Sequence, residues 1–169
     1  MSDRKICITA ADGQTGHLTA ELLLSNEKFS KKFASLFLLA MDPEKCHELK
    51  EMGGSRVNVI PYVPDRHKLM EALKAANCDT MFLIPPGHKD KFAVLKSVIE
   101  CAGKLKSLQN VILLSSAGCD VAERDKQPSI RQFIDMETLL MRQKSEPATG
   151  STGHSPCIIR CDPSQISLT

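Results

Sequence analysis

Six short apolar runs, Lys5–Ala10, Ser35–Ala40, Val57–Tyr62, Thr80–Ile84, Asn110–Ser115 and Cys157–Arg160, recur along the chain with a helical pattern between most neighbours. Several are continuously apolar rather than alternating, as strands covered on both faces must be. After the first run, Leu18 and Leu22 share a helix face. Asp42-Pro43 reads as an N-cap followed by proline at the first helical position, opening a second helix. Asp65 reads as the cap of a third, carrying Leu69, Leu73 and Ala76. Phe92, Leu95, Ile99 and Ala102 mark a fourth, and Ile130, Phe133, Ile134, Leu140 and Met141 a fifth. Strands alternating with helices close by right-handed crossovers. The pattern therefore predicts an α/β fold, a doubly wound parallel sheet of about six strands ordered 3-2-1-4-5-6 with helices on both faces.

With 169 residues, 42% of them hydrophobic, the chain can bury one such core and little more, so residues 1–169 read as a single domain. The 22 basic and 20 acidic residues are interspersed and aromatics make up 4%, which argues against direct nucleic-acid binding, where clustered cations and stacking rings are needed. The apolar segment after Met1-Ser2-Asp3-Arg4-Lys5 is too short for a signal peptide core, and no run matches a membrane span. The expectation is a cytoplasmic protein, also able to enter the nucleus, with no membrane association. Seven scattered cysteines, at 7, 46, 78, 101, 119, 157 and 161, read as reduced and largely buried thiols. His154-x2-Cys157-x3-Cys161 has some look of metal spacing but lacks the paired Cys-x2-Cys, so no metal site is expected. Gly118–Pro128 and Lys144–Ser155 read as mobile loops.

The chemistry sits after the first run, in Ala10-Ala11-Asp12-Gly13-Gln14-Thr15-Gly16. A strand, a glycine turn and a helix start are what a dinucleotide pyrophosphate requires: backbone N–H groups reach the phosphates and the helix N-terminus adds partial positive charge. Gly13 would allow close approach of the pyrophosphate and Gly16 close packing of helix on strand. His17 stands where a phosphate-loop NTPase has its lysine, which argues against that class.

Ile8-Thr9-Ala10-Ala11-Asp12-Gly13-Gln14-Thr15-Gly16 resembles the Thr-Gly-Ala-Thr-Gly-x-x-Gly opening of atypical short-chain dehydrogenases. Met81-Phe82-Leu83-Ile84-Pro85-Pro86 and Val111-Ile112-Leu113-Leu114-Ser115-Ser116-Ala117-Gly118 resemble the fourth and fifth strands of their NmrA-like branch. That branch holds a fungal nitrogen regulator, redox-sensing NAD(P) binders and NAD(P)H-dependent quinone and isoflavone-type reductases. The resemblance runs from about Lys5 to Arg160. It implies a Rossmann fold and NAD or NADP as cofactor. The site would be formed by Ala10, Asp12, Gly13, Gln14, Thr15 and Gly16 in the turn, with Met41, Asp42 and Lys45 after the second strand. Ile84, Pro85 and Pro86 after the fourth and Ser115 on the fifth would complete it. A redox-sensing or regulatory binder with a protein partner is the function it points to, and an oxidoreductase acting on quinones or similar small molecules is the alternative.

The departures from the family pattern bear on that choice. Ala10 replaces its first glycine, and Asp12 its threonine, with a charge that would repel a diphosphate if turned inward. Met41 stands where an arginine commonly grips the 2′-phosphate of NADP, and Val63 where an aspartate sits near the adenine. The dehydrogenase Tyr-x3-Lys acid is excluded, because the lone Tyr62 is followed by Arg66. Phe133 stands where isoflavone-type reductases have a lysine, four residues before Glu137, which reads as a structural partner of Arg131 or Arg142. Ser115 and Ser116 read as hydrogen-bonding residues without a base, and His17 and His88 as exposed histidines flanking the crevice. The sequence after Arg160 is shorter than the family's substrate lobe, which is expected to be mostly absent.

Overall fold

A computed structural model describes residues 3–145 and 155–161. Its strands, β1 Lys5–Thr9, β2 Ser35–Ala40, β3 Val57–Pro61, β4 Thr80–Leu83, β5 Asn110–Ser116 and β6 Ser155–Cys161, form one sheet in the expected order β3-β2-β1-β4-β5-β6. Every neighbouring pair is parallel. The helices are α1 Gln14–Ser25, α2 Glu27–Ser30, α3 His47–Gly53, α4 Arg66–Ala76, α5 Lys91–Ala102 and α6 Pro128–Ser145. The short α2 left no periodic signal in the sequence.

Side-chain alternation along the strands divides the core in two. On one face Cys7, Met81, Leu83, Val111 and Leu113 meet Leu69 and Leu73 of α4, Leu95 and Ile99 of α5, and Met136 and Leu140 of α6. On the other, Ile6, Ile8, Leu36 and Leu38 meet Ala20 and Leu24 of α1 and Leu49 of α3. Among the described residues this second face is closed mainly over β1 to β3, with Phe82 of β4 packed at its margin. Leu114 of β5 stays half-buried there, and Cys157 and Ile159 of β6 stay exposed. Leu18 and Leu22 do share a face of α1, but it points outward, 51% and 53% exposed, while Gly16, Ala20 and Leu24 carry the packing.

The centre of the sheet joins distant parts of the chain. β1 pairs with β4 through Ile6 opposite Thr80, and the Lys5 N–H donates to Asp79 Oδ2 at 2.6 Å. Asp65 caps α4 as its position predicts, accepting from the His67 and Lys68 N–H groups at 2.9 Å. Asp42 does not cap in that way: its side chain makes no capping bond, and Pro43–Cys46 form a 3-10 turn before α3 starts. The expected loops are also shorter than predicted. Gly118–Pro128 ends where α6 begins at Pro128, and it is pinned by Arg124, which grips both oxygens of Asp135 at 2.9 and 3.1 Å. Lys144 and Ser145 belong to α6 and Ser155 to β6, and the stretch between them lies outside the described residues. Five cysteines are buried, whereas Cys157 is exposed and Cys161 intermediate. His154 lies outside the described residues, among which no metal-holding cluster occurs and no helix is long and apolar enough to cross a membrane.

Candidate functional site

The first strand ends one residue earlier than its apolar run suggests, because Ala10 turns left-handed with φ 49°. That conformation suits glycine and strains a side chain. It aims the Ala10 carbonyl back over the turn, where it accepts from the Gly13 N–H at 3.0 Å, while Ala11 N–H donates to Leu39 of β2 at 3.2 Å. Gly13 then caps α1 in extended conformation with no side-chain bond, and no acidic residue occupies the helix's first turn. The first amides of α1 therefore face the C-terminal edge of the sheet without an internal anion. Gly16 has no alternative: a Cβ there would overlap the Ala10 carbonyl oxygen and come within 2.9 Å of the Ala11 Cα. At Gly13 a Cβ would meet only the Ala10 oxygen, at 3.3 Å.

The turn lies beside the point where the sheet reverses, with β2 and β4 on opposite sides of β1. Thr9 fastens that point. Its hydroxyl donates to the Ile84 carbonyl at 2.8 Å and accepts from the Ile84 N–H at 2.7 Å, so the chain after β4 is held against the end of β1. Two concavities follow. A small one, about 20 Å³, is lined by Ala10, Met41, Tyr62, Ile84 and Pro86 among others. A groove of about 470 Å³ brings together Gln14, Thr15, Ile84, Pro85, Ser115 and Ser116, and continues along Leu18, Leu22, Leu114, Phe133 and Cys161. Tyr62 reaches only the Val94 carbonyl, at 3.5 Å.

Asp12, Asp42 and Lys45 gather instead at the end of β2. Asp12 does not point at the helix start: its carboxylate accepts the Asp42 N–H at 3.0 Å. Asp42 in turn pairs with Lys45 at 3.6 Å, which leaves that lysine a partner already. Burial first, and then the carboxylates of Asp12 and Asp42, push the nearby Cys46 thiol up to about 11, which registers the negative field of this corner. His17 lies in α1 rather than in a loop, and His88 accepts the Asp90 N–H at 3.1 Å through Nδ1.

At the far end of the sheet the polar groups serve one another. Glu137, 7% exposed, is gripped by Arg160 of β6 through two bonds, Nε to Oε1 at 3.0 Å and an NH2 nitrogen to Oε2 at 2.8 Å, rather than by Arg131 or Arg142. Ser115 donates to the same Glu137 Oε1 at 2.6 Å, and Asp120 pairs with Arg160 at 3.4 Å. Burial raises the Glu137 carboxyl's proton affinity, but the bonds from Arg160 and Ser115 outweigh it and hold the group below the usual carboxylate range. Neither partner could be read from the sequence, because Arg160 lies on another element, 23 residues away.

No family model matches the chain, and no curated protein matches it by sequence. Solved structures do share its fold. The NADPH-dependent quinone oxidoreductase QOR2 of Escherichia coli, solved with NADPH, is 21% identical with a TM-score of 0.69 over 92% of this chain and 48% of that one. The Citrobacter sp. triphenylmethane reductase with NADP(H) is 19% identical with a TM-score of 0.62, over 82% and 45%. The leucoanthocyanidin reductase of Vitis vinifera with NADPH is 12% identical with a TM-score of 0.67, over 93% and 49%. The chain thus has a Rossmann-type α/β fold and spans about half the length of these structures.

Proposed function

We propose that this chain binds a nicotinamide dinucleotide with its pyrophosphate on the turn from Ala10 to Gly16. The observation that carries the reading is Gly16: the helix start is seated so closely on the Ala10 carbonyl that only glycine fits, leaving bare amides at the sheet's reversal point. Gln14, Thr15, Ile84, Pro85 and Ser115 would border the nicotinamide end, and Met41 and Pro86 the adenine end. When bound, the cofactor would supply a hydride donor or acceptor. At the end of β2 the carboxylates of Asp12 and Asp42 outnumber Lys45, which already pairs with Asp42, and Met41 offers no further cation, so NAD is favoured over NADP, whose extra phosphate would add like charge.

The role is that of an NmrA-like, cytoplasmic redox-sensing or regulatory binder with a protein partner, since Tyr62 has Arg66 rather than a lysine four residues on and Phe133 stands where the resemblance would supply a lysine. The apolar groove beside the turn supports a second reading, reduction of quinones or similar small molecules by NAD(P)H. Isothermal titration with NAD, NADH, NADP and NADPH tests the first. At least one should bind with a Kd on the order of micromolar, the NAD pair more tightly, and a Kd above about 1 mM for all four would sink it. Following nicotinamide absorbance with a panel of quinones tests the second, and turnover no faster than the protein-free control is the expected result.

A further inference from the structure

Between α4 and the turn after α5 lies a concavity walled by cations. It holds about 400 Å³ and is lined by Arg66, His67, Met70, Lys74 and Lys104, with no acidic side chain among them. Arg66, Met70 and Lys74 follow one another at four-residue steps along a single ridge of α4, so the two cations stand about 12 Å apart along the axis with half-buried Met70 between them. Lys104 joins them from the turn after α5, where its N–H donates to the Cys101 carbonyl at 2.9 Å and the adjacent Leu105 is buried. The two helices are tied here by Cys101, whose Sγ donates to the Arg66 carbonyl at 3.9 Å. Counter-ions are few. Glu100 pairs with Arg66 at 3.0 Å and Glu71 lies 3.9 Å from His67, whereas Lys74 and Lys104 form no ion pair among the described residues. Burial pushes the Cys101 thiol up and the charges of Arg66 and Lys104 pull it back, which registers their field beside the cleft.

We propose that this cleft docks an extended acidic segment of a protein partner. Side chains two residues apart on an extended chain lie about 7 Å from one another, close to the rise of about 6 Å at each step from Arg66 to Met70 to Lys74. An acidic, an apolar and a second acidic residue at alternate positions would therefore meet Arg66, Met70 and Lys74 in turn, with Lys104 as a further cation for the acids between them. A single small anion would leave most of the ridge unused. No aromatic ring lines the cleft to stack a base, so a peptide fits it better than a nucleic acid does.

The inference rests on the regulatory reading for its partner, but the cleft shares no lining residue with the two concavities at the glycine turn. Peptides are therefore titrated into the full chain without dinucleotide, so that failure here leaves the dinucleotide reading standing and the reverse also holds. Fluorescein-labelled Glu-Glu-Leu-Glu-Glu, followed by anisotropy, should bind the wild type with a Kd on the order of 100 μM at low salt, at least about ten-fold more tightly than labelled Gln-Gln-Leu-Gln-Gln. Lys74→Gln combined with Lys104→Gln should weaken the acidic peptide about ten-fold, whereas Lys28→Gln combined with Lys32→Gln, which removes the same charge elsewhere, should change it less than about two-fold. All of these lysines are exposed, so the variants leave the core intact, and the wild-type comparison of the two peptides needs no variant. Equal loss in the two double variants would reduce the effect to net charge. Tighter binding of labelled hexathymidylate than of the acidic peptide would assign the cleft to nucleic acid. Either result, equal affinity for the two peptides, or no binding of the acidic peptide at millimolar concentration would overturn the proposal.

Discussion

The middle and one end of the sheet's C-terminal edge use their polar groups in opposite ways. At the end of β1 the backbone does the work: amides of the α1 start stand bare, Gly16 leaves no room for a side chain, and Ala10 is held left-handed. At the ends of β5 and β6 the work is done by side chains that already have partners, Ser115, Arg160 and Asp120 converging on or around Glu137. Unspent donors leave room for a ligand, whereas a closed set of bonds implies a fastening. The difference separates the turn proposed to bind from a structural clasp, although serine and carboxylate would look more like chemistry on paper.

The harshest way to break this contrast is Gly16→Val. A branched side chain pressed into the Ala10 carbonyl must move the helix, and a loss of at least about 3 kcal/mol in urea unfolding is expected, with dinucleotide binding lost alongside. Unchanged stability would mean that α1 is seated elsewhere. Glu137→Ala attacks the clasp. It strands the Ser115 hydroxyl and one face of Arg160, for about 2 kcal/mol, at the low end for a broken pair because Arg160 remains partly exposed. Dinucleotide affinity should hardly change. Because the folded Glu137 titrates below its unfolded value of about 4.3, its contribution is present above that pH and lost as pH falls through the lower folded value. An acid-unfolding midpoint that does not move in Glu137→Ala would contradict the clasp.

Gly13→Val sharpens the contrast from the ligand's side. Its Cβ meets only one oxygen at 3.3 Å, so the fold should survive while dinucleotide binding weakens about ten-fold, near 1.4 kcal/mol. Equal binding would move the pyrophosphate off this turn. The smallest effect is Ala10→Gly. Releasing a left-handed alanine should stabilise the chain by about 0.5 to 1 kcal/mol in the same urea titration, and any loss would show that the turn's strain is borne elsewhere.

The parts legible in the sequence are those written in local pattern. Continuous apolar runs announce parallel strands, and Asp65 announces its own helix. Patterns that need a partner from elsewhere are not legible. Leu18 and Leu22 have helical spacing, but spacing cannot say that their shared face points outward. Asp42 stands in a capping position, but its carboxylate goes to Lys45 and its backbone N–H to Asp12, 30 positions earlier. Arg160 shares no periodicity with Glu137, so their bond is visible only once β6 lies next to β5. The left-handed turn at Ala10 is illegible for another reason, since glycine is the residue that signals such a turn and alanine stands in its place.

The pairing of β1 with β4 has a consequence for the order in which the chain can assemble. β1, β2 and β3 form a local series, each strand laid beside the one before it, and can come together as soon as the first third of the chain exists. Until residue 80 arrives, one side of β1 has its backbone groups unpaired beside Ile6, Cys7 and Ile8, all buried in the finished molecule. That edge is a template for a wrong strand, so nascent chains released early would stick to one another rather than wait. The bond from Lys5 to Asp79 marks the moment when the hazard ends.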